Sequence, residues 1–165
     1  RWRIEQQERW FRYVTDELLP NVRHNDQQMF ITTGCSMGGF HAANFFFRRP
    51  DLFNGMLAMS GLYHASYGFD GYMDGLVYEN SPQDFLQQMP SDHPWMQAYR
   101  QSKIVFCVGQ GRWEDDLLWS TREMDRILKE KGVNNAWFDY WGHDVDHDWP
   151  FWRRQVPYFF DKILQ

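Results

Sequence analysis

The chain has 165 residues, a formal net charge of −5 and 19% aromatic residues, among them 9 Trp. That length is one domain's worth of protein and enough to bury a core, so residues 1–165 are expected to form a single domain. The negative balance argues against nucleic acid or an anionic membrane surface as a main partner, and no apolar run approaches the ~18 residues of a membrane-spanning helix.

In chain order, residues 4–19 predict an amphipathic helix with Ile4, Phe11, Val14 and Leu18 on one stripe, closed by Pro20. Met29 to Thr33 predicts a short buried strand ended by Gly34. Residues 37–48 predict a helix that starts with small residues and continues into Phe45, Phe46 and Phe47. Gly55 to Ser60 predicts a second buried strand. Residues 61–102 carry Tyr-Gly, Asp-Gly and Ser-Pro turn signals and predict a long irregular insertion with one short helix near 82–89. Lys103 to Val108 predicts a third strand. Residues 115–131 form the clearest amphipathic helix, with Leu117, Leu118, Met124, Ile127 and Leu128 on one face and Gly132 as its stop. Ala136 to Trp141 predicts a fourth strand. Residues 150–164 predict a last helix, with Trp152, Val156, Phe159, Phe160 and Ile163 on one side and a kink or a delayed start at Pro157. Apolar strands alternating with helices imply an α/β fold: a mostly parallel sheet with helices on both faces. Cys35 and Cys107 are too few for a disulfide framework and are expected to be buried thiols; this favours a cytoplasmic location, although an exported chain would look the same.

The chemistry is concentrated at the ends of these strands. Gly34-Cys35-Ser36-Met37-Gly38 fits G-x-S-x-G, a string that composition alone would supply only about 0.04 times in a chain like this. It follows a predicted strand and opens a predicted helix, the context of a nucleophile elbow. Gly34 and Gly38, with Gly39 adding further room, are expected to allow a strained turn that lifts the Ser36 hydroxyl above the sheet. The Met37 N–H, free at the helix start, is placed to hold an oxyanion.

A serine needs a histidine to take its proton and an acid to orient that histidine, in the order serine, acid, histidine. The third strand runs into Glu114, Asp115 and Asp116. Each suits the acid role, and each also suits the favourable first turn of a helix. The fourth strand runs into His143 and His147. A metal site on those two histidines is the weaker alternative, because helical i, i+4 geometry is not expected there and the metalloprotease glutamate is missing. His24, His64 and His93 are expected to be surface or packing residues, whereas His41, just after the elbow, is placed to face a pocket floor.

These motifs resemble one family of α/β hydrolases. Gly34-Cys35-Ser36-Met37-Gly38-Gly39, Pro50-Asp51-Leu52-Phe53 and Ser60-Gly61 are similar to the esterase family that includes S-formylglutathione hydrolases, feruloyl esterases, enterochelin esterases and mycobacterial mycolyltransferase antigens. His147-Asp148-Trp149-Pro150-Phe151-Trp152 resembles that family's H-x-W-x-x-W pattern, whose first histidine is catalytic, which favours His147 over His143. Gly109 to Glu114 resembles its acid loop and favours Glu114, with Asp115 next.

The resemblance implies a serine ester hydrolase acting on a small-molecule ester without cofactor or metal. Acyl transfer by the same triad, or an inactive binding module of the same fold, are the alternatives. The family's fold has strands ahead of the elbow strand that this sequence does not show. The elbow strand is therefore expected to be an exposed sheet edge, able to self-associate or to pair with a preceding segment. Trp113, Trp141 and Trp149, beside the candidate acid and base, suit an aromatic-lined cleft, and core packing explains most such residues as well or better.

Overall fold

A computed structural model describes residues 1–165. Its centre is a four-stranded, wholly parallel sheet in the order β1 (Phe30–Cys35), β2 (Phe53–Met59), β3 (Lys103–Val108) and β4 (Trp137–Tyr140). Between β1 and β2 runs α3 (Met37–Arg48). The β3–β4 crossover is α7 (Asp115–Glu130), and α8 (Trp149–Ile163) follows β4. Each strand thus returns to the sheet through a helix, as parallel pairing requires.

The strands are apolar throughout because both faces are covered, and their period of two divides the core. Met56, Ala58, Ile104 and Phe106 point to the larger side. There they pack with α3, α6 (Pro94–Gln101) and α7 through Phe46, Phe47, Met96, Tyr99, Met124 and Ile127. Leu57, Met59, Val105 and Cys107 point the other way, onto Trp152, Phe159 and Ile163 of α8. Burying each of the larger of these side chains contributes about 1.5–3 kcal/mol. Much of the aromatic excess is spent here: Phe106 stacks on Phe138 at 4.6 Å, and Phe11 on Phe45 at 5.0 Å.

Several elements depart from expectation. β1 is only partly buried, because it lies at one edge of the sheet and extends through Gly34 to Cys35. Pro20 does not close the first helix. After α1 (Trp2–Arg12) the chain widens into a π-helical stretch, Tyr13–Leu18, and continues as α2 (Leu19–Val22) with Pro20 in its first turn. Pro20 lacks the N–H of an ordinary α turn, and the wider turn ahead of it rotates the buried stripe. Thr15 and Leu19 face inward, and Leu18 is exposed. In α8, Pro157 sits on the solvent side and neither delays nor ends the helix, and Gln155 takes the buried place expected for Val156. In α7 the buried face is Ser120, Thr121, Met124, Ile127 and Leu128, leaving Leu117 and Leu118 half-buried.

The largest correction is the 61–102 insertion, which is mostly helical. It holds a 3₁₀ turn at Ala65–Phe69, α4 (Gly75–Glu79), α5 (Pro82–Gln88) and α6. The residues that signal turns here are helix starts. The Asp74 side chain accepts the Val77 N–H at 2.9 Å, and Ser81-Pro82 and His93-Pro94 place proline in a first helical turn, where its missing N–H costs nothing. No helix is long and apolar enough to cross a membrane.

A partly buried polar knot ties α1 to this scaffold. Glu8 accepts hydrogen bonds from Arg48 at 3.0 Å and Asn80 at 3.1 Å, and the Arg48 guanidinium lies 3.8 Å over the Phe11 ring. Burial alone would raise the Glu8 carboxyl, but the Arg48 and Asn80 hydrogen bonds outweigh it and hold it below the usual range. Because the folded value is the lower one, this contribution is present above the unfolded value of about 4.5 and is lost as pH falls below it. Glu8→Gln should lower stability by about 1–3 kcal/mol near neutral pH. It should also flatten the acid limb of a pH series of denaturant melts, which checks both effects together.

Candidate active site

The candidate side chains converge where the strands end. β1 stops at Cys35, and Ser36 takes φ 56° and ψ −122°, a left-handed conformation that favours glycine. Such strain costs on the order of 1–3 kcal/mol and must be held by its surroundings. The Ser36 N–H donates to Met59 O at 2.9 Å, while Ser36 O accepts from the N–H groups of Gly39 and Phe40 at 3.0 and 3.2 Å. α3 therefore begins immediately, and the Met37 N–H, in its first turn, has no intrahelical acceptor. The Met37 side chain is 72% exposed.

The glycines divide the work differently from expectation. A Cβ on Gly34 would lie 2.3 Å from Gly38 O, and one on Gly39 would lie 2.7 Å from Met59 O; one on Gly38 would meet nothing within 4 Å. Gly34 and Gly39 are the positions the turn cannot fill, and Gly38 lends only its close backbone.

After β2, Ser60 is also left-handed at φ 47°. After β3, the chain passes through Trp113 at φ 64° into Glu114, the residue before α7. Glu114 is 1% exposed. Its Oε1 accepts a hydrogen bond from Ser60 Oγ at 2.7 Å, and its Oε2 lies 3.3 Å from His147 Nδ1. The other ring nitrogen, Nε2, is 2.9 Å from Ser36 Oγ. With the proton on Nδ1, the imidazole donates to Glu114 and accepts from the Ser36 hydroxyl. Trp152 packs edge-on against the His147 ring at 4.9 Å, and its Nε1–H points to Ser60 Oγ at 3.4 Å.

Two loops are laced together to bring this about. Gly111 N–H donates to Val145 O at 2.9 Å, His147 N–H to Arg112 O at 3.0 Å, and Arg112 N–H to the Asp146 carboxylate at 2.7 Å. The approach is tight: a Cβ on Gly109 would fall 2.2 Å from Val145 O, and one on Gly111 2.3 Å from Asp146.

Of the three candidate acids, Glu114 alone reaches His147. Asp115 is exposed in the first turn of α7, and Asp116 accepts from the Tyr67 hydroxyl at 2.8 Å. His143 is exposed, with Nδ1 3.3 Å from Gln110 O, so the two histidines of the fourth loop diverge. Asp148 caps α8, accepting from Trp149 N–H at 2.7 Å. Ser60 is the contact that sequence reading did not single out as part of the site. Its signal was its place at the end of β2, on the same edge as the other groups.

Beside Ser36 and His147 lies a cavity of about 420 Å³. Its aromatic wall is Phe40, Tyr67 and Phe69, not Trp113, Trp141 and Trp149. Trp113 and Trp149 are exposed, and Trp141 packs against Tyr158 and Phe159 of α8. His41 lines the cavity, as its place after the elbow implied. His64 lines it too, but its ring is engaged, with Nδ1 2.6 Å from Ser66 Oγ and Nε2 3.3 Å from Asp84.

A parallel sheet carrying a strained serine turn, with acid and histidine following on later loops of the same edge, defines the α/β-hydrolase class. Within it, residues 4–160 match the family described as "Putative esterase", and the chain belongs to that family. Comparison with curated proteins gives no match. Among solved structures, the chain is similar to a ferulic acid esterase at 21% identity and a TM-score of 0.70, over 92% of this chain and 59% of that one. It is similar to the S-formylglutathione hydrolase of Staphylococcus aureus at 15% identity and a TM-score of 0.67, over 98% and 63% of the two chains. It is also similar to MPT51 of Mycobacterium tuberculosis at 16% identity and a TM-score of 0.72, over 93% and 67%. At these identities the likeness is one of fold. The chain spans about three-fifths of the length of the first two of these.

The elbow geometry makes a prediction about stability. Gly34→Ala and Gly39→Ala should each lower the thermal midpoint markedly, by the equivalent of about 2 kcal/mol or more, whereas Gly38→Ala should stay within about 1 kcal/mol. Thermal unfolding of the three variants checks the ordering.

Proposed function

We propose that the protein is a serine ester hydrolase working through an acyl-enzyme on Ser36. The observation that carries this is the position of His147, with Nε2 at 2.9 Å from the Ser36 hydroxyl and Nδ1 at 3.3 Å from the buried Glu114 carboxylate. In this scheme Ser36 Oγ attacks the acyl carbonyl carbon as its proton passes to His147 Nε2. Glu114 holds the productive tautomer and stabilises the imidazolium, and Ser60 holds Glu114 from the other side. The Met37 N–H stabilises the oxyanion that forms on the carbonyl oxygen.

The intermediate collapses as His147 returns the proton to the departing alcohol oxygen. Water then repeats the cycle: His147 takes its proton as the water oxygen adds to the acyl carbon, and the second intermediate collapses as His147 returns that proton to Ser36 Oγ and the acid departs. No cofactor takes part. Ser36 is partly exposed, so an acceptor has access to the acyl-enzyme, and water is the acceptor in this scheme. The substrate is a small-molecule ester.

A fluorophosphonate probe should label the protein at one site, and peptide mapping should place the adduct on Ser36. Ser36→Ala should lose the label and lower p-nitrophenyl ester turnover by about 10³-fold or more while keeping its fold. A label on another residue, or a folded wild-type protein that takes no label and turns over no ester, would overturn the proposal.

A further inference from the structure

A second cavity, of about 410 Å³, shares Leu62, His64 and Tyr67 with the one beside Ser36, and neither Ser36 nor His147 lines it. Asp116 and Trp119 reach it from α7. Three positions apart on a helix, these two stand on one face as neighbours. Asp116 is the candidate acid that the relay leaves unused. Its Oδ2 accepts from the Tyr67 hydroxyl at 2.8 Å, which ties the Tyr67 side chain to the same wall. Its Oδ1 makes no hydrogen bond, and no Lys or Arg lines the cavity. The remaining polar side chains, His64 and Ser66, already engage each other at 2.6 Å, and His64 also faces Asp84 at 3.3 Å.

A carboxylate with one oxygen open, beside a tyrosine and a tryptophan ring, calls for a cation. Tyr67 and Trp119 are 62% and 56% exposed, so their rings are not spent in the core. Aromatic faces attract cations, tryptophan most strongly, and organic ammonium ions are the usual partners. A bare divalent metal fits poorly, because it wants several oxygen ligands and no three His, Cys, Asp or Glu side chains gather to hold one. An anionic ligand would meet repulsion from Asp116, and the formal net charge of −5 adds to that repulsion while it draws cations in. A neutral apolar group would desolvate the open oxygen without replacing its water. An alkylammonium group satisfies both parts of the wall, its charge against the carboxylate and its carbon surface against the rings.

We propose that this second cavity binds an alkylammonium group, carried at the far end of an ester whose carbonyl lies at Ser36. The wall that the two cavities share lets one molecule occupy both. The binding site stands on its own residues, whereas its place at the end of an ester rests on the hydrolase function above. Choline and 3,3-dimethylbutan-1-ol have the same shape and differ only in a charged nitrogen against a carbon. In titrations followed by NMR, choline should bind about tenfold more tightly, the combined worth of a cation–π contact and an exposed ion pair. That preference should shrink as salt is added.

Asp116→Asn and Trp119→Leu, made separately so that a folding defect in one does not decide the matter, should each bring the affinity ratio toward one. Asp115→Asn should leave it nearly unchanged, since Asp115 does not line the cavity. The ester half is read with two series of increasing arm length, p-nitrophenyl trimethylammonioalkanoates and trimethylammonioalkyl acetates, each compound compared with its tert-butyl isostere. At the arm length that spans the shared wall, kcat/KM should favour the cation by about tenfold, and Asp116→Asn should remove the preference. Equal affinity for choline and its isostere, or a preference that survives both variants, would overturn the cation site. Tighter choline binding, with an ester turnover that ignores the cation at every arm length, would overturn its place at the end of the substrate. Tighter choline binding that Asp116→Asn abolishes, with no turnover of any ester, would support the site and count against the hydrolase function.

Discussion

The site depends on one backbone constraint: Ser36 is held left-handed between the end of β1 and the start of α3. A residue with a β-carbon rarely adopts that conformation unless its neighbours force it, and here they do so by contact. Gly34 and Gly39 let the backbone of the turn press against itself and against β2, and the Ser36 N–H is tied to Met59 O at 2.9 Å. The same device recurs along the edge of the sheet. Ser60 follows β2, and Trp113 follows β3 just ahead of Glu114; both are non-glycine residues with positive φ. Three of the four such residues in the chain therefore stand where the candidate chemistry is, and the stability of the core is what holds the strain in place.

The second dependency is between loops. Glu114 and His147 lie on different loops and meet only because glycines at 109 and 111 let the acid loop press against Val145 and Asp146. A carboxylate that is 1% exposed is expensive unless its oxygens are engaged, and both are: one by Ser60, the other toward His147. This arrangement restrains the histidine ring, and Trp152 packs edge-on against it at 4.9 Å.

Much of this was legible in the sequence because it follows from local rules. β3 is bounded at Lys103 and Val108 as its apolar run predicts, and α7 follows its periodicity to within a residue. Ser36, Glu114 and His147 were identifiable because the elbow string, the acid loop and the H-x-W-x-x-W string each sit at a strand end. What was not legible is what depends on tertiary contact. The choice of Glu114 over Asp115 rests on which carboxylate the laced loops bury. The 61–102 insertion reads as turns because caps and turns use the same residues, Asp74, Ser81 and Pro94 among them. The roles of Gly38 and Gly39 cannot be told apart without knowing where Met59 O lies.

The most direct test of the proposed relay compares two conservative changes made one residue apart. Glu114→Gln keeps the shape of the buried side chain but removes the charge that holds the His147 tautomer; Asp115→Asn removes a charge from the exposed helix start. Steady-state ester turnover of the two folded variants should fall by about 10²–10⁴-fold for Glu114→Gln and by less than about threefold for Asp115→Asn. Near-wild-type turnover in Glu114→Gln, or an equal loss in Asp115→Asn, would contradict it.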